Sequence, residues 1–344
     1  MQAPAARPGA LMFAEAAAAP EAVTAQLAAG GFSALGERLR RLAPRLVATC
    51  ARGSSDHAAT FAKYLIETRV GVMTASLAPS VASLYRADTM LRDAVVLLIS
   101  QSGASPDLIA TAENAKCAGA FVLALVNTEG SPLAQVADET FSLAAGPERS
   151  VAATKSYIAS LSALIGIVSH WSGDTTLQRA HREAPAVLRE AWIQDWSGAA
   201  PVLAEAASLY VIARGLGLGA AGEAALKLKE SCGLHAEAIS AAEARHGPMA
   251  LVRPGFPVLC LAQHDEASSS VADFARDAAA RGANVFIAGA NAPGATRLPT
   301  LEAHPALQPM LLIQSFYRLA HDVAVQRGRD ADKPPHLSKV TKTL

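Results

Sequence analysis

The stretch AVVLLISQSGASPDLIATAENAKCAGAFVLALV, residues 94–126, decides the fold class of this chain. An apolar run at Ala94–Ile99 ends in a polar loop, and a helical pattern over Pro106–Ala118 leads to a second apolar run at Phe121–Val126. Strands joined by a helix of this length pair in parallel through a right-handed crossover. Because both runs are apolar throughout, they are typical of strands covered on both faces. The stretch therefore predicts one strand–helix–strand unit of a parallel α/β sheet.

The same alternation continues on both sides of this unit. Further apolar runs predict strands, and the stretches between them have helical periodicity. The additional strands are predicted at Leu46–Cys50, Val72–Leu77, Thr140–Leu143, Leu209–Ala213, Val258–Ala262 and Val285–Ala288, and the additional helices at Ala58–Glu67, Thr154–Val168, Ala220–Leu234, Val271–Arg281 and Pro309–Arg327. Residues 170–200 are more polar and predict a linking helical segment.

The segments repeat at one spacing along the chain. Ala51-Arg52-Gly53 follows the first strand, and Ala213-Arg214-Gly215 follows its counterpart 162 residues later (214 − 52). The same offset places Leu97–Gln101 on Leu259–Gln263. Two independent matches at one offset indicate that a single α/β unit has been duplicated.

Length, composition and charge limit the architecture and the partners. Of the 344 residues, 51% are hydrophobic and only 5% aromatic, which suits a large core of Ala, Leu and Val. Length and duplication together predict two domains, residues 1–190 and 191–344, each a parallel sheet flanked by helices. Lys and Arg number 30 and so do Asp and Glu, so there is no basic excess for nucleic acid or an anionic membrane.

The cysteines and the N-terminus indicate a cytoplasmic protein. Cys50, Cys117, Cys232 and Cys260 lack the spacing of a zinc site, and we expect small buried hydrophobes in a reducing compartment rather than disulfides. The Ala-rich start is interrupted by Glu15, which argues against a signal peptide. No segment reaches transmembrane length without charged residues. We expect neither a metal nor a cofactor.

The loop Ser100–Ser105 is the strongest candidate ligand site. Ligands of open α/β sheets bind beyond the carboxyl ends of the strands, where this loop lies. Its serine hydroxyls and the N–H groups at the following helix start can hold a phosphate, while Gly103 lets the backbone approach closely. The equivalent loop Ala262–Ala267 carries two carboxylates, so only the first copy can accept an anion. An ordinary helix-capping turn is the alternative, as it is for Gly53-Ser54-Ser55 after the first strand.

Six short motifs occur in order along the chain. They are LLISQSGAS at Leu97–Ser105, SVAATK at Ser150–Lys155, ALKLKE at Ala225–Glu230, HAEA at His235–Ala238, RHGP at Arg245–Pro248 and DKPPHLSK at Asp332–Lys339. Together they resemble the sugar isomerase (SIS) domain family, and specifically the isomerase half of glucosamine-6-phosphate synthase. The resemblance runs from about Met12 to the C-terminus. It implies two tandem SIS domains, each a flavodoxin-like, doubly wound parallel sheet, and a homodimeric enzyme that acts on a sugar phosphate.

The resemblance also implies a role for each matching residue. The residues that would bind the substrate phosphate are Ser55, Ser100, Gln101, Ser102 and Ser105. Val151 would line the sugar site. Glu230 matches the carboxylate that moves a proton between C1 and C2. His246 matches the ring-opening histidine, which in the family reaches the neighbouring subunit's site, and Lys339 matches the lysine that can form a Schiff base with the open-chain sugar.

Each of these last three residues also has a structural alternative. A partly buried Glu can remove a proton and return it, but Glu230 can equally form a surface pair with Lys227. Histidine gains and loses a proton near neutral pH, yet His246 can be a structural residue at a helix end. An imine-forming Lys needs a lowered pKa and a protected site, whereas Lys339 can be an exposed lysine of the tail.

Departures from the family pattern bear on the reaction. The synthase has an N-terminal glutaminase domain whose terminal Cys frees ammonia, but the residue at position 2 here is Gln2 and the isomerase-like region begins near Met12. Arg52 stands where the family has Cys, and Ala104 where it has Glu, a form closer to the superfamily's stand-alone deaminases. We therefore expect deamination of glucosamine 6-phosphate, or a close amino-sugar phosphate, to fructose 6-phosphate and ammonia. The alternatives are an aldose–ketose isomerase, an aminotransferase-like enzyme and a non-catalytic phosphosugar sensor.

Overall fold

The computed structural model describes residues 9–339, which form two compact units. The C-terminal unit comprises residues 9–19, 148–155 and 186–339, and the N-terminal unit comprises residues 20–147 and 156–185. Each unit contains one five-stranded sheet. The predicted domain boundary between residues 190 and 191 stays a prediction.

Strands and helices alternate along the described chain. The strands are β1 (Val47–Ala51), β2 (Thr74–Ser76), β3 (Val95–Ser100), β4 (Phe121–Val126) and β5 (Glu139–Ser142) in the N-terminal unit, and β6 (Ser208–Ala213), β7 (His235–Ser240), β8 (Pro257–Leu261), β9 (Asn284–Ala288) and β10 (Thr296–Leu298) in the C-terminal unit. The helices are α1 (Ala10–Ala17), α2 (Ala19–Ala29), α3 (Phe32–Leu42), α4 (Ser54–Arg69), α5 (Pro79–Ser83), α6 (Pro106–Cys117), α7 (Pro132–Val136), α8 (Lys155–Ser172), α9 (Thr175–Trp192), α10 (Ala200–Glu205), α11 (Gly217–Cys232), α12 (Ser268–Ala280) and α13 (Gln308–Gln326). None of the helices in residues 9–339 combines the length and apolarity needed to cross a membrane.

Both sheets have the same strand order. The first is β2-β1-β3-β4-β5, and the second, read from the corresponding edge, is β7-β6-β8-β9-β10. All of these neighbours pair in parallel. This is the flavodoxin-like, doubly wound order, with the first strand between the second and the third. The predicted α/β fold with two tandem copies is confirmed, and so is the linking helix, α9.

The second sheet has two strands more than the sequence patterns predict. β7 is an edge strand whose side chains are partly exposed, so His235 and Glu237 interrupt its apolar residues. β10 is only three residues long and therefore gives no run to detect. The repeat itself identifies β7, because the offset of 162 residues carries Thr74 in β2 onto Ala236 in β7 (236 − 74).

The central strands are buried along their whole length. All six residues of β3 and all five of β8 are buried, as predicted for strands with helices on both faces. Cys50, Cys232 and Cys260 are buried free thiols, which confirms that expectation. For Cys117 the expectation is wrong, because Cys117 is the last residue of α6 and is exposed.

A buried histidine joins two helices of the N-terminal unit. His181 on α9 places Nε2 at 2.8 Å from Oγ of Ser162 on α8, and the ring of Phe32 packs edge-on against it with centroids 5.1 Å apart. Burial, assisted by the nearby His170 and Arg182, lowers the pKa of His181 to about 4. The folded protein therefore keeps this imidazole neutral at a pH where the unfolded chain would protonate it.

We expect stability to fall as the pH drops from 7 to 4 and His181 to cause part of that loss. Between the ordinary pKa of 6.5 and about 4, only the unfolded state binds the proton, which lowers the free energy of unfolding by about 3 kcal/mol at the acid end. Urea unfolding at several pH values gives the free energy of unfolding as a function of pH. This free energy should change less with pH in His181→Gln, which retains a hydrogen-bonding side chain. If the free energy of unfolding of His181→Gln depends on pH as steeply as that of the wild type, the assignment is wrong.

Candidate functional site

The serine-rich loop connects β3 to α6 in the N-terminal unit. Ser100 ends β3, and Ser105 is the N-cap of α6 but makes no side-chain capping bond. The Ser100 hydroxyl accepts the N–H of Gly103 at 3.1 Å, and the Ser102 hydroxyl accepts the N–H of Ala104 at 3.3 Å. Because these two hydroxyls act as acceptors here, each can still donate its own proton to an anion.

Gly103 determines the shape of this loop. Its φ is +61°, and a Cβ at this position would lie 2.1 Å from the Oγ of Ser131. The N–H of Leu133 donates to the Gly103 carbonyl at 3.0 Å, and the N–H of Asn127 donates to the Gln101 carbonyl at 3.2 Å. The loop is thus held against the segment after β4, with no room for a side chain at the turn.

Ser55 lies at the same edge of the first sheet as the loop. It is half-buried in the first turn of α4, directly after β1. Since β1 and β3 are parallel neighbours, their carboxyl ends lie side by side. The structure therefore places all five predicted phosphate-binding residues at one edge of this sheet.

A salt bridge compensates the negative charge of Asp107, the carboxylate nearest in sequence to the serine-rich loop. Nε and Nη2 of Arg52 donate to Oδ2 of Asp107 at 2.8 and 2.6 Å, and the Asp107 side chain is buried in the first turn of α6. Uncompensated, this carboxylate would oppose a phosphate at the helix start. Arg52, which stands where the family has Cys, thus has an electrostatic role in this chain.

The equivalent loop of the C-terminal unit holds a carboxylate of its own. Oδ1 of Asp265 accepts the N–H of Ala267 at 2.9 Å, and Oδ2 accepts Nε2 of Gln263 at 3.1 Å. The N–H of Ala267, at the start of α12, is thereby bound to a side chain of the loop. The two copies share a strand–loop–helix geometry but differ in the charge they present.

Three ionisable residues lie on one face of α11 in the C-terminal unit. Nζ of Lys227 lies 2.5 Å from Oε2 of Glu230 and 3.5 Å from Oε1 of Glu223. The side chains of Lys227 and Glu223 are 1% and 0% exposed, whereas that of Glu230 is 22% exposed. Glu230 does pair with Lys227, but the lysine points into the protein, so this is not the surface pair considered as an alternative.

The charge of Lys227 is maintained by its surroundings. Burial by itself lowers the pKa of this lysine, but Glu223, Glu230 and Glu148 together outweigh burial and hold the pKa above its ordinary value. Lys227 is therefore a buried cation between two carboxylates. A buried charge of this kind is stable only while its partners remain.

Further contacts connect this cluster to the C-terminal tail. The Tyr317 hydroxyl lies 3.0 Å from Oε1 of Glu223 and 3.3 Å from the carbonyl oxygen of Thr154. Oε1 of Glu148 accepts the N–H of Thr154 at 2.9 Å, and Oε2 of Glu148 lies 3.3 Å from Nζ of Lys339. Glu230 and Lys339, far apart in the sequence, are thus members of one polar network.

Glu230 opens onto a cleft of about 400 Å³. The last turns of α11 form one wall, and the tail residues Pro335 and Leu337 form another. The carboxylate can therefore be reached from this cleft, while its partner Lys227 stays buried. Lys339, further along the tail, is not among the residues that line this cleft.

The two remaining predicted residues lie apart from these contacts. Val151 is half-buried in the segment between Glu148 and Lys155. His246 is exposed at the end of a short 3-10 helix, in a turn that the Tyr210 hydroxyl holds by donating to the Pro248 carbonyl at 3.1 Å. No contact described within residues 9–339 joins His246 to the network of Glu230 and Lys339.

The motifs do not reveal three members of the network. Glu148 lies two residues before the SVAATK motif, and Glu223 stands four residues before Lys227, a spacing typical of helical ion pairs. The sequence could therefore have identified both glutamates as candidates. Tyr317 has no such signal, because it is one of many buried residues of α13 and only its contact partner distinguishes it.

Comparison with known proteins agrees with this fold and these motifs. The family model of the SIS domain matches residues 44–166 and 202–295, which are more than half of the chain. The chain belongs to the SIS domain family.

The relatives of this SIS chain include much longer proteins. The glutamine–fructose-6-phosphate aminotransferase (isomerizing) of Aeropyrum pernix is 37% identical over 312 residues, which cover 83% of this chain and 49% of the relative. The chain thus spans about half the length of the curated relatives it matches.

Solved structures extend the comparison. A candidate phosphosugar isomerase from Silicibacter pomeroyi DSS-3 has a TM-score of 0.90 and 41% identity, over 93% of this chain and 99% of that one. The C-terminal domain of the glucosamine–fructose-6-phosphate aminotransferase of Francisella tularensis has a TM-score of 0.85 over 94% and 98% of the two chains. At 24% identity, the second likeness bears on the fold alone.

Replacing Lys227 should destabilise the SIS chain far more than replacing its neighbour Lys229. Lys227→Met keeps the side-chain length but removes the buried cation that lies 3.5 Å from Glu223, which costs about 3–5 kcal/mol in the free energy of unfolding. Lys229→Met removes an exposed charge and should change stability by less than about 0.5 kcal/mol. Urea unfolding measures both, and equal losses would show that Lys227 is not a structural charge.

Proposed function

We propose that this SIS chain is an enzyme that deaminates glucosamine 6-phosphate, or a close amino-sugar phosphate, to fructose 6-phosphate and ammonia. The observation that carries the proposal is the polar network in which the accessible Glu230 is bound to buried Lys227 and Lys339 is paired with Glu148. The named activity of the relative from Aeropyrum pernix is transfer of an amino group to fructose 6-phosphate with isomerisation. Deamination reverses that change at the sugar.

In this proposal the serine-rich loop binds the phosphate. The ligands are Ser55, Ser100, Gln101, Ser102 and Ser105, and Val151 lines the sugar site. The hydroxyls that accept backbone N–H groups are already oriented, so they need little reorganisation on binding. A hydrogen bond to a charged group contributes about 1.5–3 kcal/mol, so a few of them are enough to hold the substrate.

The chemical step is a proton transfer between neighbouring carbons. His246 helps to open the sugar ring, which exposes C1 as an aldehyde. Glu230 removes the proton from C2 to give an enolamine and returns it to C1, so that C2 becomes an imine. Water hydrolyses this imine, which releases ammonia and leaves the ketose. Lys339 holds the ketose by imine exchange or stabilises negative charge at this stage.

Aldose–ketose isomerisation is the second candidate. The structure with 41% identity is described as a candidate phosphosugar isomerase. The same carboxylate can move a proton from C2 to C1 of a sugar phosphate that carries a hydroxyl at C2, and no ammonia then forms. An aminotransferase-like reaction uses the same proton transfer in reverse. A non-catalytic sensor would need the phosphate loop but not the network of Glu230 and Lys339.

Ammonia release distinguishes these reactions. The wild-type chain should release ammonia from glucosamine 6-phosphate and exchange the C2 proton with solvent deuterium. Glu230→Gln keeps the shape but loses the base, so both rates should fall at least about 100-fold while the substrate still binds. The exposed control Glu302→Gln should behave as wild type. If the wild type interconverts aldose and ketose phosphates but releases no ammonia from any amino-sugar phosphate, the isomerase is the correct function.

We also propose a homodimer in which His246 serves the partner's site. The exposure of His246 supports this. A ring-opening residue must reach the substrate, but no described contact joins His246 to Glu230 or Lys339 of its own chain. A second copy of the chain would provide that site.

Mixing two inactive variants tests the shared site. In an equimolar mixture of Glu230→Gln and His246→Ala chains, half of the dimers are mixed and each has one complete site, so about a quarter of the wild-type activity should return. Subunit exchange is verified by mass spectrometry with an isotope-labelled variant. No recovery after verified exchange would show that each site is built from a single chain.

A further inference from the structure

Lys339 lies in a tail that has no regular structure to position it. The chain after α13 forms no helix or strand up to residue 339. Even so, Nζ of Lys339 lies 3.3 Å from Oε2 of the buried Glu148. A lysine has several freely rotating bonds, so a defined position requires that both the tail and the segment carrying Glu148 are held.

The tail is held by the N-terminus of helix α1. Oδ2 of Asp332 accepts the N–H of Leu11 at 3.0 Å, and Oδ1 accepts the N–H of Met12 at 2.6 Å. Oδ1 of Asp330 accepts the N–H of Gly9 at 3.0 Å. The first N–H groups of a helix lack partners within the helix, and carboxylates at this end also interact favourably with the helix dipole. These bonds attach the tail to residues about 320 positions earlier in the sequence.

The segment carrying Glu148 is held by the same helix. Glu15 on α1 is 6% exposed, and its two carboxylate oxygens accept the N–H groups of Arg149 and Ser150 at 2.5 and 3.1 Å. A buried carboxylate is tolerated only when it is well hydrogen-bonded, which these two donors provide. Glu148 directly precedes these residues, so its backbone position depends on Glu15.

Helix α1 is itself firmly anchored. Nε2 of Gln314 on α13 donates to the carbonyl of Ala16 at 2.9 Å, and the ring of Phe13 packs against Trp192 and His321 with centroids 4.9 Å apart in both pairs. Along the helix, Met12 and Glu15 are separated by about 4.5 Å, a distance that the helical backbone keeps constant.

We propose that α1 is a splint that sets the position of Lys339 relative to Glu148, with Asp332 and Glu15 as its positioning residues. Asp332 attaches the tail to one end of the splint, and Glu15 attaches the 148–155 segment one turn further on. Removing either attachment keeps both the ammonium group of Lys339 and the carboxylate of Glu148, but the distance between them can then vary. The inference about the contacts needs no substrate, whereas its effect on turnover rests on the proposed function.

Hydrogen exchange tests the splint directly. Asp332→Asn should raise exchange on the order of tenfold at the amides of Leu11 and Met12 and also at those of Arg149 and Ser150, which it does not touch. Glu15→Gln should raise exchange in residues 330–339 as well as at its own two donors. The exposed control Glu266→Gln should change none of these amides. If each variant affects only the amides it contacts, α1 does not couple the two segments and the proposal is wrong.

Chemical labelling reports on Lys339 itself. Reductive methylation followed by mass spectrometry compares Lys339 with the exposed Lys333 of the same tail. The ratio of Lys339 to Lys333 labelling should rise severalfold in both Asp332→Asn and Glu15→Gln, because the ammonium group then spends less time against Glu148. An unchanged ratio in both variants would overturn the proposal. Thermal unfolding verifies that each variant is folded, and if Glu15→Gln is not, the half-buried Asp332 supplies the test.

Kinetics then separate positioning from substrate binding. Both variants should lower kcat on the order of tenfold or more and leave KM within about twofold, because the reacting groups are misplaced while the phosphate loop is intact. A rise in KM alone would show that these residues contribute to binding instead. If the wild type turns over no sugar phosphate at all, the proposed function fails, while exchange and labelling still decide on the splint.

Discussion

A cation buried in α11 is the feature on which the rest of the candidate site depends. Removing Lys227 from water is expensive, and two carboxylates within 3.5 Å of its ammonium group help to offset that cost. Glu223 is itself fully buried and needs the Tyr317 hydroxyl, which in turn lies against the backbone of Thr154. The need to satisfy one charge therefore orders helix α11, helix α13 and the segment before α8.

The same arrangement gives the two carboxylates of α11 different properties. Glu223 is enclosed and stabilises the cation, whereas Glu230 binds the same cation but opens onto a cleft. A carboxylate that transfers a proton needs a fixed partner and also access for a substrate. A helix can provide both when its consecutive turns differ in burial. The sequence spacing of these residues places them on one face of the helix. Their difference in burial comes from the elements that pack against each turn.

The two copies of the fold show how one backbone geometry supports different electrostatics. Both have the strand order of a doubly wound sheet and a loop between the third strand and the next helix. In the N-terminal unit this loop offers hydroxyls, and Arg52 offsets the nearest carboxylate. In the C-terminal unit the loop carries Asp265, whose carboxylate accepts the N–H of Ala267. Duplication therefore preserved the scaffold, while a few side chains changed the charge that each loop presents.

The sequence by itself determined the α/β class, the buried central strands, the duplication and the loop at the end of β3, because these depend on local periodicity and turn chemistry. The family motifs added Glu230, His246 and Lys339 as candidates, but not which contacts they make. Only the tertiary structure decided that Lys227 points inward, that Glu148 meets Lys339 and that Tyr317 belongs to the network. It also decided that Cys117 is exposed. The physical reason is the same in each case: burial and the choice of partner depend on side chains from elements far apart in the chain, which no local pattern records.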